Sequence, residues 1–337
     1  LSSYSYKLSI VNLNCPVCDN YKFNTFREVF DDRYGEPNKY NLAKCTKCRH
    51  ISTFPRLKEK DLGKLYSKFY PRSEINYKEV FKKTNKKFNS LKTLIDWFNG
   101  TNNQGHLYAK KGEIVLDIGC GDCSSLIEIK SLGAKAFGIE ADNNVKSIAN
   151  ALNLEVHIGS IEDNPFKGKL FDLIVMNQVL EHIPEPDKCL KLIKRKLTNK
   201  GRIIIVIPNK ESLWQKISRK KWINWHIPYH LHHFDSKSFE KMANKCGFKI
   251  TSFKTITPNI WSILQIRNYF NNNKRGIPNY LWTIKKNNIN KNKIKLNFKI
   301  QKKILKISLS ICLGVFNRFI DILGLGDSLI FELEINR

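Results

Sequence analysis

Four cysteines stand in two pairs, Cys15-Pro-Val-Cys18 and Cys45-Thr-Lys-Cys48, giving C-x₂-C-x₂₆-C-x₂-C. Each pair forms a tight turn that presents two thiolates, and two such turns make a tetrahedral Zn²⁺ site. Four thiolates leave no open position, so the metal expected on Cys15, Cys18, Cys45 and Cys48 is structural, with iron as the main alternative. A second chemical stretch is VLDIGCGDCSS, Val115–Ser125. Gly119 and Gly121 let the backbone turn sharply and approach a ligand. A phosphate loop would need Lys-Ser/Thr after the second glycine, and a dinucleotide turn would want glycine at Ser124 and no acid at Asp117. Asp117 instead suits a ligand with a positive group. The third stretch holds proton-transfer groups. Glu181 adjoins His182, and a carboxylate beside an imidazole can raise its basicity or fix its tautomer. Adjacent helical residues point about 100° apart, so local packing of His182 is an equal alternative. WINWHIPYHLHHFD, residues 222–235, carries His226, His230, His232 and His233, half of the chain's 8 histidines. No nearby acid or cysteine completes a metal set with them.

The elements that must position these groups follow from periodicity. EIVLDIG, AKAFGIEA, FDLIVMNQ and GRIIIVIP are short Ile/Val/Phe-rich runs bounded by Gly, Asp or Pro. Helix-length segments lie between them: SSLIEIKSLG, NNVKSIANALN and DKCLKLIKRKLTNKG. Strands alternating with helices imply βαβ units, a parallel α/β sheet covered on both faces. The glycine turn follows a strand and opens a helix, the context that makes such a turn informative. Asp172 is expected to make a structural turn or cap at its strand's start.

With Asp117, Gly119 and Gly121 in that context, the chain resembles the class I S-adenosylmethionine (SAM)-dependent methyltransferases. Their first motif reads roughly Asp/Glu-x-Gly-x-Gly-x-Gly, and SAM is a cation of the kind Asp117 suits. Cys123 departs from the third glycine; a small Cys fills that place if φ stays negative. The resemblance covers residues 112–253. Glu140, 19 residues after Gly121 and followed by Ala141, stands where an acid can accept from both ribose hydroxyls. In HIGSIED, the resemblance implies that Ile161 packs on the adenine while Ser160 stands where Asp is common. It also implies that Asn177 lies beside the ligand. A bacterial branch of these enzymes, common in glycan and small-molecule pathways, carries Pro-x-His-Leu-x-His-Phe after a Trp-rich segment, here Pro228–Phe234. That likeness implies that His230 and His233 lie at the active-site mouth; histidines buried to hold a loop are the alternative. The same branch often carries an N-terminal zinc module.

The resulting division is a four-cysteine zinc module at 1–57, a helical linker or lid at 58–111, a Rossmann-like SAM-binding domain at 112–255 and a basic, amphipathic, helical extension at 256–337. The expected chemistry is methylation at O or C of a small-molecule, sugar or lipid-linked glycan acceptor, as in polysaccharide biosynthesis, with Glu181, His182, His230 or His233 as base. The charge is lopsided, 58 Lys plus Arg against 30 Asp plus Glu, which favours anionic partners. A hydrophobic fraction of 42% with 11% aromatics excludes global disorder. From Asn271 to Lys306 there are eleven basic and no acidic residues, followed by an interrupted apolar stretch. Docking on an anionic membrane is one reading of that segment; a helix packed on the sheet behind a solvated loop is the other. An RNA methyltransferase gripping its substrate with the zinc module and basic segments is the alternative function, against which no Asn/Asp-Pro-Pro-Tyr motif is present. A scaffold without activity is a third, which the intact Asp117 and Glu140 oppose. The Cys-x-x-Cys usage and the lack of a leader-like pattern in LSSYSYKLSIVNLN suggest the cytoplasm, with the inner membrane face nearby. Cys120, Cys123, Cys189, Cys246 and Cys312 read as small apolar fillers.

Overall fold

The structure, a computed structural model, describes residues 14–70, 80, 90–283 and 311–336. The first strands among the described residues are β1 (Phe23–Phe30), β2 (Lys39–Cys45) and β3 (Ile51–Phe54). They pair antiparallel in that order. Then come β4 (Ile114–Ile118), β5 (Lys135–Glu140), β6 (Glu155–Ile158), β7 (Phe171–Asn177), β8 (Leu197–Pro208), β9 (His232–His233), β10 (Phe248–Ile256) and β11 (Ser328–Ile335). Seven of these build the large sheet, in the order β10-β11-β8-β7-β4-β5-β6. Strands β4 to β8 are mutually parallel, and β11 runs antiparallel to both neighbours.

The central strands of the large sheet are buried on both faces, as continuous apolar runs require. Alternate residues of β8 serve separate cores. Ile203, Ile205 and Ile207 join Phe171, Phe239 and Phe331 on one face. Ile204 and Val206 join Val115, Leu126 and Ile148 on the other. Helices Ser124–Ser131, Val145–Ala151 and Pro186–Lys194 fill the expected crossovers. The third is shorter than its sequence suggests. Leu197 is buried and registers with Phe171, so LTNKG extends β8 rather than the helix. Asp172 ties three strand starts together: its carboxylate accepts from the Ile114 amide at 2.9 Å and from the Thr198 hydroxyl at 3.2 Å.

Both ends of the large domain differ from the division drawn on the sequence. β9 leaves it to pair with β3, so the histidine segment becomes the fourth strand of the N-terminal sheet. β11, within the expected C-terminal extension, enters the large sheet between β8 and β10. Its SLIFELEI alternates like a half-covered strand, and Leu329, Phe331 and Leu333 are buried with the main core. Among the described residues of the extension, helices Asn259–Tyr269, Tyr280–Thr283 and 311–322 precede it. Most of the polybasic run lies outside the described residues, as do residues 81–89 of the Lys-rich stretch before the large sheet.

Candidate active site

The strand order reverses between β4 and β7, and ligands of open α/β sheets bind in the crevice at such a point. β4 delivers Asp117 there. Gly119 turns at φ 78, its amide donating to Ile139 O at 2.8 Å, and a Cβ at that position would collide with Val179. Gly121, also at positive φ, donates to Glu140 Oε2 at 2.9 Å, while Glu140 Oε1 accepts from the Asp142 amide at 3.0 Å. The end of β5 is thereby locked against the turn. Cys123 does not keep a negative φ: it sits at φ 63 in the left-handed region, at the N-terminus of its helix. The residue is fully buried, so packing holds a conformation that glycine adopts at lower cost.

Asp117 is 2% exposed and its Oδ1 has no hydrogen-bond partner. Burial pushes its carboxyl up to about 6. An orphaned buried carboxylate oxygen beside a glycine turn fits a cationic ligand such as SAM better than a phosphate. Asn177 accepts from the Gly105 amide at 2.7 Å, which fixes its side chain at the end of β7. Ile161 is buried, whereas the Ser160 hydroxyl caps the short turn Ile161–Asp163 by accepting from Glu162 N. Asp163 takes the Ser160 amide and the His157 ring instead.

Across the crevice, distant segments bring histidines and tyrosines together. Glu181 and His182 share a single 3-10 turn after β7, and Glu181 Oε1 lies 4.0 Å from His182 Nε2. The same oxygen is 3.9 Å from His230 Nε2. His182 Nδ1 meets the Tyr229 carbonyl at 3.0 Å and the Tyr66 hydroxyl at 2.8 Å. Tyr34, Tyr70 and His226 pack around Tyr229 and His182. Burial holds His182 down to about 4, so it is neutral at pH 7, and pushes Glu181 up to about 8. His233 stands apart from this group. It is in β9, packed on Trp225 and 3.0 Å from the Thr53 hydroxyl, with burial holding it down to about 3. Tyr34, Tyr66 and Tyr70 carry no spacing that marks them in the sequence; the aromatic run KLYSKFY is the one trace.

Residues 96–252 match a family model described as a methyltransferase domain. This stretch is a class I SAM-dependent methyltransferase domain. An uncharacterized protein of Methanocaldococcus jannaschii is 30% identical over 159 residues, 45% of this chain and 65% of its own length. The sterol 4-C-methyltransferase of Caenorhabditis elegans is 28% identical over 119 residues, 33% of this chain and 36% of that one. A SAM-dependent methyltransferase of Methanosarcina mazei of solved structure shares 22% identity across 45% of this chain and 87% of its own, with a TM-score of 0.39. The match spans 65%, 55% and 33% of the first three curated relatives.

The methyltransferase domain supplies Glu181, His182, His226 and His230, but Tyr34, Tyr66 and Tyr70 come from before it. The N-terminal segment therefore contributes the tyrosines that pack on Tyr229, His226 and His182. The same segment carries the cysteine cluster, which packs with the main core. Cys15 and Cys48 Sγ are 3.4 Å apart, Cys18 and Cys45 Sγ 3.6 Å, and all four sulfurs lie within 4.8 Å of one another. Tetrahedral Zn–S bonds of about 2.3 Å place sulfurs about 3.7 Å apart, so the donor set fits zinc. Hydrogen bonding from Cys15 holds the Cys48 thiol down to about 5, the behaviour of a thiolate ready for a cation.

Proposed function

We propose that the chain transfers a methyl group from SAM to a small-molecule, sugar or lipid-linked glycan acceptor, at oxygen or carbon. The observation that carries this reading is Asp117 Oδ1, buried and unpartnered behind the glycine turn. In this reading Asp117, Gly119, Gly121, Glu140, Ala141, Ile161 and Asn177 hold SAM. When bound, SAM supplies an electrophilic methyl on a sulfonium. Glu140, fixed by the Gly121 amide, accepts from the ribose hydroxyls. The acceptor sits against Tyr66, His182 and Tyr70, a wall suited to a compact ring rather than a folded RNA. Its proton is lost to the Glu181–His182 pair: Glu181, held up to about 8, has the basicity, and His182, with 23% of its side chain exposed, has the access. Zinc on the four cysteines is structural and fixes the segment that carries the tyrosines.

A membrane-bound acceptor is favoured by one surface. Leu91, Leu94 and Ile95 are exposed along helix Ser90–Asn99, and Ile311, Val315, Phe319 and Ile322 along residues 311–322. Phe98 packs against Gly314 and Arg318 bonds the Trp97 carbonyl, so the two stripes adjoin. Residues 284–310, which lead into the second stripe, contain nine lysines and no acid. Apolar stripes beside a basic segment suit docking on anionic lipid. Among the described residues no helix is long and apolar enough to cross a membrane.

Calorimetry tests the core of the proposal. SAM binds the wild type, and Asp117→Ala weakens it at least tenfold; equal affinity sinks the SAM assignment. Comparing extracts with and without the active chain then seeks a SAM-dependent product heavier by one CH₂. A salt-sensitive shift with RNA and no small product would favour the RNA alternative.

A further inference from the structure

The fold assembles a second donor set, apart from the cysteines. Glu181 Oε1, His182 Nε2 and His230 Nε2 converge within 4.8 Å of one another. Glu181 is fully buried, and neither of its oxygens has a hydrogen-bond partner. Both rings are turned toward it by backbone carbonyls. His230 Nδ1 is 2.8 Å from Asn224 O, and His182 Nδ1 is 3.0 Å from Tyr229 O. A carbonyl accepts and never donates, so each Nδ1 carries the hydrogen and each Nε2 presents its lone pair inward. His226 Nδ1, 3.3 Å from His230 Nε2, closes the third side. Two imidazole lone pairs and a carboxylate therefore face one another. With Glu181 ionised, such an arrangement is repulsive unless a cation lies between the three groups. Histidines oriented by carbonyls through their other nitrogen are the outer-shell pattern of metal ligands.

We propose that Glu181, His182 and His230 form a metal centre for a divalent transition ion of the zinc class, with a fourth position open toward the crevice. Imidazole and carboxylate donors suit zinc, and three protein ligands with one open site are the makeup of a catalytic rather than a structural centre. Bonds of about 2.1 Å set donors about 3.4 Å apart, so the observed 3.9 and 4.0 Å need a contraction of about half an ångström. His182, part-exposed beside Tyr66, gives the ion its access. The use of the open position rests on the methyl-transfer reading: an acceptor oxygen bound there becomes more acidic. Glu181 then acts as ligand in place of base. Binding of the ion itself does not depend on that reading.

The test counts zinc in the purified full-length chain after equilibration with buffered free Zn²⁺. Two ions per wild-type chain are expected, and one in Glu181→Gln, with the cysteine site still filled. His182→Gln, at a part-exposed position, gives the same count of one and guards against a misfolded first variant. Far-UV circular dichroism and SAM calorimetry accompany each count. One ion per wild-type chain, or two in both folded variants, overturns the proposal. SAM binding absent in the wild type while the second ion remains would overturn the methyl-transfer reading instead.

Discussion

Asp117 shows how a single buried group ties ligand affinity to pH. Its carboxyl is raised to about 6 because burial penalises the charge. A cationic ligand needs the ionised form, so SAM affinity should be steady above pH 7 and fall toward tenfold per unit below about 6. Calorimetry at pH 5, 6 and 7.5 checks this, and Asp117→Asn should flatten the profile. The same group acts on stability with a definite sign. A carboxyl whose folded value lies above its unfolded one of 3.8 favours the fold below that value and loses this as pH rises through about 6. Asp117→Asn should therefore stabilise the ligand-free protein at pH 7.5, by up to about 3 kcal/mol, with the gain shrinking toward pH 4. Urea midpoints at both pH values measure it; no difference between them would show that the carboxylate is paired.

At the scale of elements, the turn after β4 carries backbone strain and the start of β11 carries buried hydrogen bonds. Gly119→Ala puts a methyl group into Val179 at a left-handed backbone position. A loss of about 2 kcal/mol in urea stability is expected, together with at least tenfold weaker SAM binding. Asp327 wires β11 to the segment carrying the histidines. Its carboxylate accepts from the Ser212 hydroxyl at 2.6 Å, the Trp222 indole at 2.9 Å and the Asn224 amide at 3.0 Å, all buried. Asp327→Ala orphans three donors and should cost about 3 kcal/mol, read as a lowered urea midpoint. Asn224 also supplies the carbonyl that orients His230. The variant should thus disturb the histidine cluster while leaving the Gly119–Gly121 turn intact.

For the whole molecule, the question is how two sheets share one site. β9 hydrogen-bonds to β3, and Tyr40, Leu42 and Leu57 pack with Trp222, Trp225 and Tyr229 in one core. Zinc removal should therefore act at a distance. Cys15→Ser is expected to abolish methyl transfer by loosening Tyr66 and the histidines, yet to leave SAM affinity within about threefold, because the Gly119–Gly121 turn is held by its own bonds to Ile139 and Glu140. Loss of both together would show that the sheets fold as one cooperative unit. On the outer surface, Leu94→Glu combined with Phe319→Glu should reduce co-sedimentation with anionic liposomes, and added salt should weaken what remains.

Local chemistry was legible in the sequence. The Cys-x-x-Cys spacing, the Gly119–Gly121 turn, the acid at the end of β5 and the Ile/Val-rich strands each depend on neighbours within a few residues. Such signals survive without knowledge of the fold. Assembly across long separations was not legible. β11 reads as the tail of an apolar extension until the edge of β8 offers it hydrogen bonds. The histidines lacked an acidic partner until the turn after β7 placed Glu181 beside His230. Cys123 takes a left-handed backbone because its buried side chain is held by the core, a constraint that no local preference for negative φ could reveal. Backbone preference and spacing are set along the chain, whereas burial and the direction of a lone pair are set by groups that meet only when the sheets close.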